Sequence, residues 1–456
     1  MVTDDRFDLT EGSILKKIIL VAAPIMGTQF LQMAYNLTDM FWLGKVGSFA
    51  VAASGAAGMY MWLSMGFLLI GRMGAEIGVA QSLGRGDKNT AVEFLRNALF
   101  VNLVLGALCT AAFIFAAKPL VAFFPLGEKA ILDDAAAYLC IVGFGVIPTF
   151  ITGVATGTYN AAGNSHTPFI LNSVGLICNA VLDPFCILIL GMGIRGAAYA
   201  TVFSQLLVCV LMFIALKGFK NRPFKNFHLC SGLNVEIITT ILKLAVPIAL
   251  ESLIFCSLTM LSQRIEARFG AAAFATGKIG AQIESLTWLI GGGFGSALVA
   301  FVGQNYGAGK TARIDKAVKL SLALMGTWGI AVAVFFCVLG KYIFYIFLPD
   351  PAIAELGKYY LWIVAAAQVS MNLEAVWAGT FKGKGKTIPP SLVGIATNVL
   401  KPVLSMILSR TTLGVYGVWA AIAAGDVLRG VCLFIWYEFS LSVENHRRGK
   451  PQTRTD

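Results

Sequence analysis

Gln29-Phe-Leu-Gln32-Met-Ala-Tyr35-Asn36-Leu-Thr-Asp39-Met-Phe-Trp42 lies within the first long apolar segment of the chain. Gln32, Tyr35, Asn36 and Asp39 follow i, i+3, i+4, i+7 spacing, so a helix places them on one face, opposite Leu, Met and Phe. A charge at bilayer depth costs roughly 2.5–3.5 kcal/mol on insertion scales. Such a carboxylate either faces a cavity or partner along a pathway, or snorkels from near a helix end. The rest of the chain has to decide between these.

The wider composition makes bilayer depth the right frame. Of 456 residues, 57% are hydrophobic and 13% charged, and the mean hydropathy is +0.76. That balance excludes an ordinary soluble domain. Apolar runs of 20 or more residues recur, which points to an all-α, polytopic membrane protein. No cleavable leader is expected, because Met1 to Glu11 is polar and acidic. The nine cysteines show no CxxC and no metal spacing, so they are expected as small core residues without disulfides. The histidines form no zinc pattern, and neither a structural metal nor an organic cofactor is expected. A net charge of +11 suits basic cytoplasmic loops better than a nucleic-acid partner.

Twelve spans are expected, at about 16–43, 50–80, 92–117, 132–156, 167–190, 196–217, 238–263, 274–303, 315–340, 354–378, 389–409 and 415–440. The basic stretch Lys217-Gly-Phe-Lys220-Asn-Arg222-Pro-Phe-Lys225 separates the sixth from the seventh. It divides the chain into an N-lobe (1–217), a cytoplasmic linker (218–237) and a C-lobe with a short tail (238–456). Lys and Arg concentrate on the loop side that carries Lys16, Arg85, Lys217, Lys310, Lys382 and Arg447. By the positive-inside rule both termini and the linker are cytoplasmic.

The chain also repeats itself. A slide of 223 residues carries Pro24 onto Pro247, Gly47 onto Gly270, Gln81 onto Gln304, Gly84 onto Gly307 and Gly86 onto Gly309. A slide of 222 superposes Gly157-Thr158-Tyr159 on Gly379-Thr380-Phe381, Gly163 on Gly385 and Pro168 on Pro390. After a small gap, Asn179-Ala-Val-Leu-Asp183-Pro184 meets Asn398-Val-Leu-Lys401-Pro402, and Gly193 and Gly196 meet Gly414 and Gly417. Two six-helix halves in parallel orientation follow, with a binding site between or within them and transport by rocking. The carboxylates do not repeat: Asp39 falls on Ser262, Glu251 on Thr28, Glu284 on Met61, Glu374 on Thr152 and Asp183 on Lys401. The scaffold is duplicated and the chemistry is not.

Asn179 and Asp183 are i, i+4 and share a face, and Pro184 removes the next backbone donor and bends the helix. Freed carbonyls, the carboxylate and Thr201 offer oxygens of the kind that hard cations take. Burial of such a carboxylate equally suits proton carriage. A structural pairing of Asp183 with a helix donor is the alternative. Glu251, Glu284 and Glu374 are candidates for a cavity that attracts organic cations, against local ion pairs of Glu284 with Lys278 and of Glu374 with the Lys382 cluster. Lys401 is expected to find a carboxylate in the C-terminal half, and Asp426 with Arg429 reads as a helix-face pair. Gly303-Gln-Asn-Tyr-Gly307-Ala-Gly309-Lys310-Thr311 has the look of a phosphate loop. It ends a helix rather than opening one, and its twin Gln81-Ser-Leu-Gly84-Arg-Gly86-Asp87 lacks Lys-Ser/Thr, so both are expected as helix caps and hinge loops. No HExxH or GxSxG is present, and an enzyme is not expected.

Pro24, Gln32, Asp39 and Gly47, then Gln81-x-x-Gly84-x-Gly86, Gly157 through Gly163-Asn164 and Gly193-Ile-Arg-Gly196-Ala-Ala, recurring in the second half, resemble the multidrug and toxic compound extrusion (MATE) transporters over about residues 14–440. Asn179-Ala-Val-Leu-Asp183-Pro184 is similar to the DinF-type branch. Many relatives carry Asn-Asn and an Arg before the Gly-Asn, where this chain has Thr156-Gly157 and Asn160. The resemblance implies twelve helices in two six-helix bundles that export amphipathic, often cationic compounds against H⁺ or Na⁺. It implies a cation or proton site at Asp39, Asn179, Asp183 and Thr201, with Gln32 and Tyr35 beside it. Glu251 and Glu374 loosely match a second branch that uses carboxylates of the C-terminal half, and Glu284, Lys401 and Asn36 complete the substrate-cavity candidates. The expected protein is a monomeric, multi-pass antiporter of the inner (plasma) membrane for small organic cations. The alternative is a flippase for lipid-linked precursors from the same superfamily, which wants several cavity Arg or Lys. A channel or structural membrane protein would not need unmatched carboxylates on a repeated scaffold.

Overall fold

Apolar runs of this length leave the backbone one economical solution inside a bilayer, the α-helix, which satisfies its own N–H and C=O groups. The computed structural model describes residues 7–123, 129–217, 232–347 and 351–449, and every regular element among them is helical. In chain order these are α1 (Ile14–Val46), α2 (Ser48–Gly84), α3 (Lys88–Phe115), α4 (Ala117–Val121), α5 (Lys129–Gly143), α6 (Val146–Ala161) and α7 (His166–Pro184). A π-helical turn (Phe185–Ile189) leads to α8 (Gly193–Lys217). The remainder is α9 (Val235–Ala267), α10 (Ala271–Gly307), α11 (Thr311–Phe347), α12 (Pro351–Gly383), α13 (Ile388–Leu408) and α14 (Val415–Gly449). Among the described residues, eleven helices are long and apolar enough to cross a membrane, and twelve if one bent pair counts as a span. Residues 218–231, most of the expected linker, lie outside the described residues.

Two spans depart from straight helices. The expected fourth span breaks into α5 and α6, bent by 45°. Phe144 and Gly145 donate back three residues, to Ile141 and Val142. Pro148, one turn on, has no N–H for the Phe144 carbonyl. The expected fifth span does not simply kink at Pro184. It widens into the π turn, closed by Leu190 N–H on Phe185 O at 2.9 Å.

The suspected phosphate loop is a helix end, as expected. Gly86 and Gly309 have φ of +79° and +69°, the left-handed conformation that favours glycine at a C-terminal cap. Asp87 N–H bonds Ser82 O at 3.0 Å and Lys310 N–H bonds Asn305 O at 2.8 Å, the same closure at twin positions. Asp87 then caps α3, accepting from Thr90 N–H at 3.0 Å.

The chain packs as two compact units. The first holds residues 1–253, 296–314 and 383–385. Its interior is built from α2, α3, α5, α6 and α8, with Ile237 and Ile241 of α9 packed in. Within this unit the ends of α2 and α10 cross, and twin side chains exchange bonds there. Gln81 donates to Gly383 O at 3.0 Å and Gln304 donates to Ala161 O at 2.7 Å. Gly383 is itself the twin of Ala161 in the 222-residue register. The N-terminal segment adds a strap without a twin. Leu9 is fully buried, its N–H bonds Gln304 Oε1 at 3.0 Å, and its carbonyl accepts from Asn305 at 3.1 Å. Arg313 donates to the carbonyls of Glu11 and Gly12 at 2.9 and 2.8 Å.

The second unit holds residues 254–295, 315–382 and 386–456. Its core gathers Ile283, Phe336, Phe344, Tyr360, Leu361 and Trp419, with Tyr360 edge-on to Trp419 at 5.2 Å.

Candidate functional site

The i, i+4 spacing on α7 does what it predicts. Asn179 Nδ2 donates to Asp183 Oδ1 at 3.1 Å, and both residues are wholly buried. Helices α1 and α8 pack against α7, and α5 packs against α8. That arrangement brings Tyr35 and Asp39 from α1 into electrostatic reach of Asp183, with Thr201 of α8 beside Tyr35. Five buried oxygens here have no hydrogen-bond partner within the described chain: Tyr35 Oη, Asp39 Oδ1, Asn179 Oδ1, Asp183 Oδ2 and Thr201 Oγ1.

A buried polar atom left unpaired costs about 1–3 kcal/mol, more for a charged one. These five, two of them from carboxylates, form an oxygen-rich, anionic donor set. Its chemistry fits a hard monovalent cation or a proton, and it offers no soft ligand. No group of three or more His, Cys, Asp or Glu suited to a metal ion occurs among the described residues.

Gln32 and Asn36 share the α1 face but are exposed. Tyr138 of α5 was not among the expected residues, yet it is buried within electrostatic reach of Tyr35, Asp39 and Asp183. In the sequence it is a lone tyrosine in an apolar run, and nothing local marks it. Only the packing of the short α5 brings it here.

The C-terminal candidates are distributed differently. Glu251 is buried on α9 in the first unit. Glu284, Glu374 and Lys401 belong to the second. Glu284 accepts from Tyr360 Oη at 3.4 Å and Gln368 Nε2 at 3.3 Å. Lys278, its expected local partner, bonds Gln263 Oε1 at 2.7 Å. Glu374 pairs with Arg429 at 3.0 Å, and Lys401 finds the expected carboxylate in Asp426 at 2.6 Å. Asp426 and Arg429, read as partners along one helix, each reach a different neighbouring helix. Glu266 was missed altogether. It is buried near the end of α9 and accepts from Trp419 Nε1.

Comparison with known proteins follows the duplication. The MatE family model matches residues 24–185 and again 247–407. A Thermotoga maritima protein described as probable multidrug resistance protein NorM is 26% identical over 436 residues, covering 93% of this chain and 92% of that protein. A Shewanella oneidensis protein described as an FAD transporter is 23% identical, covering 94% and 96%. Among solved structures, a MATE protein in its bent conformation superposes with a TM-score of 0.92 at 22% identity, covering 98% of this chain and 100% of that one. An outward-facing multidrug resistance MATE transporter of the MOP superfamily gives 0.89, also at 22% identity, covering 97% and 99%. At that identity the likeness is one of fold.

Proposed function

The chain belongs to the MatE family of multi-pass membrane transporters, and from that premise we propose that it is a secondary antiporter exporting amphipathic, cationic organic compounds in exchange for H⁺ or Na⁺. One observation carries the site assignment: two carboxylates and their companion oxygens are buried together on α1, α7 and α8 with five oxygens unpartnered. Asp39 and Asp183 are the exchangeable-cation ligands. Asn179 orients Asp183, while Tyr35 and Thr201 supply further oxygens. The match of Asn179, Asp183 and Thr201 to the DinF-type pattern supports the same roles. Gln32 and Asn36, exposed on α1, are assigned to the substrate path, as are Glu251, Glu284 and Glu374.

The ion drives transport only through its different affinity for two conformations. With Asp39 and Asp183 both charged, their repulsion favours whichever conformation admits a cation. A bound cation or proton cancels that repulsion and the attraction for a cationic substrate, so ion and substrate compete. Alternating access then couples inward ion flow to outward substrate flow. The excess of Lys and Arg on one side of the loops supports placing both termini in the cytoplasm. The repeat supports lobes at 1–217 and 238–456, joined by 218–237. The protein is taken to act as a monomer in the inner membrane.

A precursor flippase would want several free cavity cations for pyrophosphate, whereas mid-span cations are few, Arg72 and Lys401, and Lys401 is held by a carboxylate. Transport into vesicles tests the proposal. Asp39→Asn and Asp183→Asn should each abolish gradient-driven dye movement, with the pH and Na⁺ gradients collapsed separately to identify the ion. Undiminished coupling in both variants overturns it.

A further inference from the structure

The second repeat keeps part of the first repeat's polar site and changes the rest. Asn398, the counterpart of Asn179 one residue out of the Pro184–Pro402 register, is buried, with neither amide atom hydrogen-bonded within the described chain. Tyr35 and Asp39 give way to Leu258 and Ser262 in the 223-residue register. Thr201 gives way to Ile422 in the register that sets Gly193 on Gly414. The shared Pro184–Pro402 step carries Asp183 onto Lys401, so a cation ligand is replaced by a cation.

That cation is housed. The Lys401 and Asp426 side chains are only 13% and 15% exposed, and their charged atoms are 2.6 Å apart. The Lys401 stem runs along α14 where Gly425 leaves room, since a Cβ there would sit 2.5 Å from Lys401 Cγ and 2.8 Å from Cε. In the Gly193–Gly414 register Gly425 corresponds to Ser204, and Asp426 to Gln205. Three changes on two helices thus install a lysine, a channel for its stem and a carboxylate to receive it. Glu284 of α10 lies within electrostatic reach of both charges, and the Glu374–Arg429 pair bridges α12 and α14.

We infer that Lys401 is a tethered cation: in the second repeat its ammonium fills the role that an exchangeable ion fills in the first. Asp426 is thereby charge-satisfied without a coupling ion, Glu284 being held instead by Tyr360 and Gln368, and ion exchange is confined to one site per chain. This rests on the reading of Asp39 and Asp183 given above. It also explains why a duplicated scaffold does not carry two coupling sites. Removing the ammonium while keeping Asp426 should unmask a second one.

Cation stoichiometry of the full-length protein tests this, read as ²²Na⁺ binding and as proton uptake per chain. Wild type should bind one cation and Lys401→Met two. Lys401→Met/Asp426→Asn should return to one, because the gained site needs the carboxylate. Asp183→Asn/Lys401→Met should also bind one, now at the second repeat. If Lys401→Met gains neither Na⁺ nor a proton over Lys401→Met/Asp426→Asn, the inference is wrong. If Asp183→Asn alone leaves the wild-type stoichiometry unchanged, the first-repeat assignment is wrong instead, and the difference between the two Lys401 variants still reads out the tethered cation. Should Lys401→Met fail to fold, Lys401→Ala purified with n-propylammonium carries the test. The amine should raise its melting temperature with Asp426 present and not with Asp426→Asn, and equal response in both backgrounds overturns the inference.

Discussion

Gly84 packs directly on the backbone carbonyl of Gln304, and its twin Gly307 packs on the carbonyl of Gln81, so that a Cβ on either glycine would collide with the opposite helix. The crossing of α2 and α10 sets backbone against backbone, and it is made twice by the same sequence element. Gly84→Ala should therefore lower stability by about 3 kcal/mol or more, since neither backbone can yield as a side chain would. Gly86→Ala meets open space and bears only the left-handed penalty of about 1–2 kcal/mol at its φ of +79°. Melting temperatures of the purified variants should rank wild type, Gly86→Ala, Gly84→Ala, and the reverse order of the two alanines would refute the crossing.

The twin glutamines should not be equal. Gln81→Ala removes one bond, to Gly383 O, at a half-buried position. Gln304→Ala removes two, to Ala161 O and from Leu9 N–H, in a buried one. At about 1–3 kcal/mol for each buried group left unpaired, the Gln304 variant should lose roughly twice as much. Hydrogen exchange at residues 7–13 should rise in Gln304→Ala and stay near wild type in Gln81→Ala.

Asn179→Ala deprives buried Asp183 of its hydrogen-bond donor. The same change also takes Asn179 Oδ1 out of the donor set, and at about 1.5–3 kcal/mol for an interaction with a charged group Na⁺ affinity should fall by roughly 10- to 100-fold. Isothermal titration or ion-dependent transport measures the change, and an unaltered affinity would separate Asn179 from the site.

Tyr138→Phe removes a hydroxyl near both carboxylates without changing the packing of the ring. Cation affinity should weaken with little change in melting temperature. A large loss of stability with unchanged affinity would mark Tyr138 as core only.

Outside the membrane, hydrogen bonds from Thr90 hold the Asp87 carboxyl below its ordinary range. A carboxylate with a lowered folded-state pKa stabilises the fold above its unfolded pKa and loses that contribution as pH falls through the folded value. Asp87→Ala should cost about 1 kcal/mol at neutral pH and progressively less below pH ~4, whereas Asp87→Asn should keep most of the cap at every pH. A pH series of melting curves distinguishes the three proteins.

Hydropathy was enough to find the spans, because lipid imposes one backbone solution on any long apolar run. The i, i+4 rule was enough to join Asn179 to Asp183, and the repeat register located the unmatched carboxylates. Residues whose partners arrive from distant helices were not legible. Tyr138 has no local pattern, and the 45° break that sets the short α5 beside α8 is written only in scattered Gly and Pro. Glu266 lies just past the expected end of the seventh span at 263, but α9 continues to Ala267 and buries it under Trp419. Local charge pairing misassigned Asp426 and Arg429 for the same reason. Long basic side chains reach across helices as readily as along them.

The strap at Leu9 sets an order of events in the life of the chain. Leu9 is made well before its hydrogen-bond acceptor, Gln304, which is 295 residues later in the sequence. At roughly 5–20 residues per second, the ribosome needs about 15–60 s to supply it. By the end of that interval α1 through α8 have all been made, while the segment before α1 still has no docking partner. It seats only when the end of α10 and the start of α11 emerge, so a contact surface made before α1 is among the last to close.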